Sequence, residues 1–173
     1  MQIHLYLFIL DLKKHWWFLC TLMILIISGN NSEAISRLKA TLQHHFPITD
    51  LGRLKYFLGI EMEASHKGLF LNQRKYVLDL LKDAEMMDAK PAPTPLDNKL
   101  QLPKNSEPLQ SINHYQHLVG KLIYLTITRP DIAYVVSLVS QLMHAPTIFH
   151  LSIVKGILRY LKGSIGHGIV IST

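Results

Sequence analysis

The sequence predicts an α+β fold, with strands in the first half of the chain and helices in the second. Apolar residues alternate loosely over residues 54–63 and again over residues 69–71, on either side of a His66-Lys67-Gly68 turn, which indicates a β-hairpin. Between residues 115 and 163, apolar residues recur three and four positions apart in three successive segments, a pattern typical of amphipathic helices. The 173 residues are enough for one domain with a real core.

A helix is predicted to begin at Asn30-Asn31-Ser32, because these side chains can accept hydrogen bonds from the first helical amides, and Glu33 follows Asn30 at capping-box spacing. Pro47 ends this helix. Its apolar stripe consists of Ile35, Leu38, Leu42 and Phe46. A turn is predicted at Asp50-Leu51-Gly52, before the hairpin.

A second helix is predicted after the hairpin, with Asn72 as its cap. Its apolar face consists of Val77, Leu80, Leu81 and Ala84. Residues 88–110 then form an extended connector and the best candidate for an internal boundary, because proline removes backbone donors and fixes the backbone. The prolines are Pro91, Pro93, Pro95, Pro103 and Pro108.

Three helices are predicted after the connector. Their apolar faces are Leu118, Leu122 and Leu125; then Ile132, Val135, Val139 and Leu142; then Leu151, Val154, Leu158 and Leu161. Thr128 is predicted to cap the middle helix, with Pro130 in its first turn, and Gly163 closes the last helix. Residues 168–171 form a strand.

The net charge of +6 and ten histidines suit a polyanionic partner, although a basic balance alone is common. Cys20 is the only cysteine, which excludes an intramolecular disulfide and a cysteine zinc cluster. An apolar run over residues 16–27 follows Lys13-Lys14 and has the length of a signal peptide. It is short for a membrane span, so we expect a cytoplasmic or nuclear protein, with membrane association through this run as an alternative.

Several strings across residues 26–169 resemble the reverse transcriptase of copia-type LTR retrotransposon polyproteins, and they occur in the order of that family. They are Thr49-Asp50-Leu51-Gly52, Leu54-Lys55-Tyr56-Phe57-Leu58-Gly59-Ile60-Glu61, Gln73-Arg74-Lys75-Tyr76, Pro93-Thr94-Pro95-Leu96, Leu118-Val119-Gly120-Lys121-Leu122-Ile123-Tyr124-Leu125-Thr126, Thr128-Arg129-Pro130-Asp131-Ile132-Ala133-Tyr134, Val139-Ser140-Gln141, Met143-His144-Ala145-Pro146 and Arg159-Tyr160-Leu161-Lys162-Gly163.

This resemblance implies a truncated reverse-transcriptase palm with a β-hairpin, followed by a mainly helical thumb and connection subdomain. Residues 1–25 would be a frameshifted or degenerate palm strand segment, residues 26–87 the palm end with its primer-contacting hairpin, and residues 88–110 the connector. Residues 111–164 would be the thumb and connection helices, and residues 165–173 the first strand of a truncated ribonuclease H domain. The fingers and the first metal-binding aspartate of the family are absent.

Met23 and Ile24 stand where the resemblance places two aspartates, because the alignment on Ser28-Gly29-Asn30-Asn31 puts the family's Tyr-Val-Asp-Asp turn immediately upstream. Those aspartates would hold the metal pair of nucleotide transfer. A thioether and an alkyl chain cannot replace them, since hard cations need oxygen ligands. Cys-Thr-Leu-Met-Ile can be encoded by TGT ACG TTG ATG ATA, and reading these codons from the last base of the first one gives Tyr-Val-Asp-Asp. This indicates a frameshift before about Leu25.

The sequence therefore predicts a reverse-transcriptase fragment that is not an enzyme and needs no cofactor, whereas the parent family would use magnesium. Lys155, Arg159 and Lys162 recur on one helical face and form the predicted nucleic-acid-binding cluster, with a solvated helix surface as the alternative. RNA, DNA or their hybrid would bind weakly and without sequence preference, and no small-molecule substrate is expected. No metal site is predicted, because the histidines do not have the spacing of metal ligands. The histidines in question are His44-His45, His114, His117, His144 and His150.

Overall fold

The computed structural model describes residues 6–10, 24–27, 31–46, 48–65, 68–96 and 106–172. The chain divides into two compact units, of which the first comprises residues 1–57 with residue 173 and the second residues 58–172. The division falls after Phe57 and not in the proline-rich connector, which lies inside the second unit.

The first unit combines an antiparallel sheet with one amphipathic helix. The sheet has the order β2-β1-β3, and β1 pairs antiparallel with both neighbours. The elements are β1 (Tyr6–Leu10), β2 (Ile24–Ile27), α1 (Ser32–His45), β3 (Ile48–Arg53) and β4 (Tyr56–Phe57). Residues 16–23 of the N-terminal apolar run lie outside the described residues, and no helix in the described part of the chain is long and apolar enough to cross a membrane.

Helix α1 begins one residue later than the predicted capping box requires. Asn31 is its N-cap, and the Asn31 side chain accepts a hydrogen bond from the Ala34 amide at 3.0 Å. Glu33 instead forms an ion pair with Arg37 at 3.0 Å, one turn along the helix. Of the predicted apolar stripe, Ile35 is buried, whereas Leu38 and Phe46 are exposed.

The turn predicted at Asp50-Leu51-Gly52 lies inside β3. Gly52 has a φ of +75°, and its amide donates to the Asp50 carboxylate at 2.8 Å, which makes a local turn within the strand. The pairing of β1 with β3 shifts register at this point. Lys39 donates to the same carboxylate at 2.6 Å, and these hydrogen bonds lower the pKa of Asp50. Strand β3 continues through this turn as a bulged strand, because the Asp50 side chain bonds to the Gly52 amide and the glycine adopts the positive φ.

The second unit packs helices beside the hairpin sheet. Strands β5 and β6 form the predicted hairpin, with Ser65 opposite Gly68, and β7 pairs antiparallel with the other edge of β6. The strands are β5 (Ile60–Ser65), β6 (Gly68–Asn72) and β7 (Gly168–Ile171). The helices are α2 (Arg74–Asp83), α3 (Ile112–Leu125), α4 (Ala133–Ser140) and α5 (Ile148–Gly163), with a 3-10 turn at Pro130–Ile132.

The continuous strand predicted over residues 54–63 is wrong. Leu54 and Lys55 are not in a strand, and a turn at Leu58 and Gly59, both at positive φ, precedes β5. The predicted C-terminal strand is present as β7, but it belongs to the hairpin sheet. Its assignment to a ribonuclease H domain stays a prediction.

The core of the second unit is made by the predicted apolar faces of α2 to α5. Its buried members include Val77, Leu80, Leu81, Leu118, Leu122, Leu125, Ile132, Val135, Val139, Val154, Leu158 and Leu161. Leu142 is an exception, since it is exposed. The Tyr115 hydroxyl donates to the Val139 carbonyl at 2.8 Å inside this core, and burial raises the pKa of Tyr115 to about 12.

Thr128 does not cap a helix, contrary to the prediction. The N-cap of the 3-10 turn is Arg129, and α4 begins only at Ala133. The Thr128 hydroxyl instead donates to the Gln73 side-chain oxygen at 2.7 Å, where both residues are buried. The threonine therefore ties the start of α2 to the segment after α3. Asn72, the predicted cap of α2, accepts a hydrogen bond from the Arg74 amide at 3.1 Å, although Gln73 is the N-cap residue.

Candidate nucleic-acid interface

The predicted metal-binding turn can be located only in part. Met23 lies outside the described residues, and Ile24 is the first residue of β2, with its backbone opposite Ile9. A methionine and an isoleucine do not fit the magnesium pair that the resemblance implies, because neither side chain supplies an oxygen ligand. Within the described ranges, no group of three His, Cys, Asp or Glu side chains could hold a metal ion.

The turn at Leu58 and Gly59 is held against two aromatic rings of the helices. The Tyr124 hydroxyl donates to the Leu58 carbonyl. A Cβ added to Gly59 would lie 3.5 Å from Tyr76 and 3.8 Å from Tyr124, whose rings meet edge to face with centroids 5.3 Å apart. Leu58 itself is 67% exposed. The primer-contacting hairpin predicted over residues 56–71 thus has a fixed, exposed turn at Leu58, and its contact with a primer strand stays a prediction.

Helices α2 and α3 are held together beneath this turn. The Tyr76 hydroxyl donates to the Lys121 carbonyl at 3.3 Å, and the Lys121 ammonium forms an ion pair with Asp83. The hydrogen bond from Lys121 lowers the pKa of Asp83, whereas burial raises the pKa of Tyr76. These contacts fix the helices that carry the two aromatic rings.

The predicted cationic cluster on α5 divides into one solvent-facing residue and two that contact the chain after α2. The Lys155 side chain is exposed and makes no hydrogen bond or ion pair with the described residues. Arg159 donates its Nε–H to the Lys90 carbonyl at 2.9 Å. Lys162 donates from Nζ to the Ala89 carbonyl at 2.8 Å and to the Met87 carbonyl. Nucleic-acid binding by the three residues stays a prediction, but they are not one uniform solvated stripe.

Residues 87–96, which we call the strap, lie along α5. The Ala92 amide donates to the Arg159 carbonyl at 3.1 Å. A Cβ on Gly163 would lie 3.3 Å from the Pro91 side chain, and one on Gly156 would lie 3.7 Å from the Pro95 carbonyl. This part of the predicted connector is thus docked on a helix, and the assignment of residues 88–110 as a connector and boundary stays a prediction.

A second part of the connector covers the start of α5. The Glu107 carbonyl accepts from the Ile148 amide at 3.0 Å, and the Ser106 hydroxyl accepts from the Phe149 amide at 3.2 Å. The Thr147 amide donates to Nδ1 of His150 at 3.0 Å. These bonds supply partners for the amides at the start of the helix, so an anion is not needed there.

A buried ionic network joins the start of α4 to the end of α5. Arg129 is 2% exposed and donates through Nε and Nη2 to both carboxylate oxygens of Asp131, at 3.0 and 2.7 Å. Its Nη1 and Nη2 also donate to the Ser164 carbonyl and hydroxyl, at 3.1 and 2.7 Å. The Tyr160 hydroxyl donates to Asp131 at 2.7 Å. Sequence reasoning predicted only a helix start near Thr128 and Pro130 and missed this network, which the spacing of Arg129 and Asp131 does not indicate.

The comparisons with known proteins agree with the strings described above. Residues 20–98 match the family described as "Reverse transcriptase (RNA-dependent DNA polymerase)". An Arabidopsis thaliana protein described as an uncharacterized mitochondrial protein is 40% identical over 147 residues, which cover 85% of this chain and 61% of that protein. The retrovirus-related Pol polyprotein from transposon RE1 of Arabidopsis thaliana is 44% identical over 84% of this chain and 10% of its own length.

The corresponding polyprotein from transposon TNT 1-94 of Nicotiana tabacum is 36% identical over 82% of this chain and 11% of its own length. The chain is part of the reverse-transcriptase region of copia-type retrotransposon Pol polyproteins. It spans 61% of the first of these relatives and about a tenth of the polyproteins. No solved structure shows a significant match to the chain.

The strap and the α5 string Arg159-Tyr160-Leu161-Lys162-Gly163, by which this reverse-transcriptase fragment resembles its family, are opposite sides of one contact. Pro93-Thr94-Pro95-Leu96 belongs to the strap, and residues 159–163 belong to the α5 surface beneath it. Within that surface, Arg159 and Lys162 donate to strap carbonyls, while Tyr160 joins the Arg129 network. Sequence reasoning missed this pairing. Two features of the sequence could have indicated this contact. They are a proline-rich segment with no predicted packing partner and a small residue, Gly163, at the end of a helix.

Proposed function

We propose that the chain is a non-polymerising fragment of a copia-type reverse transcriptase, comprising the end of the palm followed by thumb and connection helices. The observation that carries the proposal is the pair Met23 and Ile24 at the family's metal-binding turn. Without oxygen ligands there, the chain cannot hold the metal pair that aligns the attacking and leaving oxygens. The fragment therefore uses no magnesium, although its parent family would.

Primer extension tests this proposal. The full chain, a primed RNA or DNA template, labelled deoxynucleotides and magnesium or manganese should give no incorporation above a heat-killed control. Template-dependent incorporation by the unaltered chain would overturn the proposal.

The frameshift has its own test in the encoding DNA. We expect Tyr-Val-Asp-Asp in another reading frame across the codons of Cys20 to Ile24, preceded by polymerase sequence in that frame. An upstream region without that coding potential would contradict a frameshift and leave Met23 and Ile24 as ordinary substitutions.

We also propose weak, sequence-independent binding of RNA, DNA or their hybrid. Support comes from the net charge of +6 and from α5, where Lys155 is exposed and only Nε of Arg159 donates to the strap. Phosphate contacts supply this kind of affinity and make it fall with salt. No base-reading pocket is required.

Titration of a labelled RNA–DNA hybrid at several salt concentrations tests the binding. Lys155→Met should reduce the slope of log affinity against log salt by about 0.9, the loss of one phosphate contact. Lys82→Met removes the same charge from an exposed position on α2 and serves as the matched control. Equal effects of the two substitutions would mean that net charge, and not α5, determines the binding.

A further inference from the structure

We propose that the strap is an autoinhibitory element, which withholds Lys162 and part of Arg159 from a nucleic-acid partner. The inference rests on the nucleic-acid binding proposed above and adds a conformational control to it. With the strap docked, Lys155 is exposed, and Arg159 is exposed with only its Nε–H donated to the strap. With the strap released, the Lys162 ammonium joins them on the same helical face.

The hydrogen bonds of the two cations carry this inference. An ammonium has three N–H donors, and Lys162 directs two hydrogen bonds to the Met87 and Ala89 carbonyls of the strap. The guanidinium of Arg159 commits its Nε–H to Lys90 in the same segment. A phosphate oxygen accepts from the same donors as these carbonyls, so the docked strap leaves Lys162 one N–H for a phosphate, whereas release of the strap makes all three available.

The strap can be moved without altering any charge, because its position depends on close backbone packing. Gly163 leaves room for Pro91, at 3.3 Å from an added Cβ, and the Ala92 amide donates to the Arg159 carbonyl. Pro91, Pro93 and Thr94 are exposed, whereas Leu96 at the end of the strap packs against the core. Segments with few buried apolar contacts open at low free-energy cost, and a ligand that binds only the open form shifts the population toward it.

The experiment compares two valine substitutions in helices. Gly163→Val should push the strap away from α5, since even a Cβ there is tight against Pro91. Gly120→Val is the matched control, because a Cβ on Gly120 in α3 meets nothing within 4 Å. Ala92→Pro is a second way to release the strap, as it removes the amide that donates to Arg159. Hydrogen exchange of the Ala92 amide reports docking in the unaltered chain and both valine variants.

The binding measurement uses an RNA–DNA hybrid duplex at several salt concentrations. Gly163→Val and Ala92→Pro should both bind more tightly than the unaltered chain, with a salt slope steeper by about 0.9, one further phosphate contact. The gain over the unaltered chain should therefore shrink about eightfold for each tenfold rise in salt. Adding Lys162→Met to Gly163→Val should abolish the gain, whereas Gly120→Val should change neither binding nor Ala92 exchange.

Each other outcome overturns the inference. If the unaltered chain binds the hybrid and strap release gives no gain, the strap does not withhold the cations and the nucleic-acid proposal stands. If the gain persists without Lys162, release exposes some other surface. If neither the unaltered chain nor the released variants bind the hybrid, the nucleic-acid proposal fails together with this one.

Discussion

Replacing Asp131 with alanine should destabilise the second unit more than replacing its buried partner, Arg129, with methionine. The carboxylate accepts hydrogen bonds from Nε and Nη2 of Arg129, which is almost fully buried. Without it, the guanidinium keeps only the carbonyl and hydroxyl oxygens of Ser164 as acceptors. The substitution therefore leaves a charge inside the protein after removing the group that neutralised it.

The magnitudes follow from the partners that remain. Breaking a buried pair from one side costs about 3–5 kcal/mol, and we expect about 3 kcal/mol for Asp131→Ala, because the 37% exposed Asp131 side chain leaves space that water can enter. Arg129→Met removes the charge itself. The Ser164 carbonyl then keeps the His167 amide, and Asp131 keeps the Tyr160 hydroxyl, so we expect about 1–2 kcal/mol.

Urea unfolding at neutral pH, followed by far-ultraviolet circular dichroism, measures these differences. The double variant should be more stable than Asp131→Ala alone, because it no longer buries an unpaired cation. Asp83→Ala, which breaks the more exposed pair with Lys121, should change stability little. The reasoning is refuted if Asp131→Ala is at least as stable as Arg129→Met, or if the double variant is less stable than Asp131→Ala.

The same pair determines a pH dependence. Burial alone would raise the pKa of Asp131, but hydrogen bonds from Arg129 and Tyr160 outweigh it and hold the pKa below that of an ordinary aspartate. A lowered carboxyl pKa gives stability that is present above about pH 4 and lost as the pH falls through the folded value. Asp131→Ala should thus lose less stability than the unaltered chain between about pH 5 and pH 2.

Two further predictions concern the start of α5 and the edge of the hairpin sheet. Nδ1 of His150 can accept the Thr147 amide only when the ring is neutral, and burial lowers the pKa of His150. This stabilisation is present above about pH 6.5 and lost as the pH falls through the folded pKa, so His150→Gln should flatten the decline in melting temperature on acidification; an unchanged decline contradicts the assignment. A Cβ on Gly168 would lie 2.0 Å from the Leu71 carbonyl, so Gly168→Ala should remove amide protection from β7 in hydrogen exchange. Gly166→Ala, with a φ of +87° but open space around it, should cost only about 1–2 kcal/mol of backbone strain, and equal loss of protection in both variants would refute the steric argument.

The sequence by itself determined the family, the β5–β6 hairpin and the apolar faces of α2 to α5. These depend on residues that lie within a few positions of one another, and both the periodicity of a helix and the turn of a hairpin are local properties. The resemblance to the family places Met23 and Ile24 at the metal-binding turn, and that placement stays a prediction. Local patterns wrongly predicted a capping role for Thr128 and a continuous strand over residues 54–63. The Thr128 hydroxyl instead donates to the buried Gln73, and a turn at positive φ interrupts the strand.

Only the tertiary structure decided what the charged side chains contact. Lys162 reaches Met87 across 75 residues of sequence, and Arg129 reaches Ser164 across 35. No spacing rule connects such pairs, since a long side chain on a helix surface is equally compatible with solvent, a phosphate or a passing carbonyl. Packing places the strap over α5, and this placement separates Lys155, which faces solvent, from Lys162, whose ammonium hydrogen-bonds to the strap.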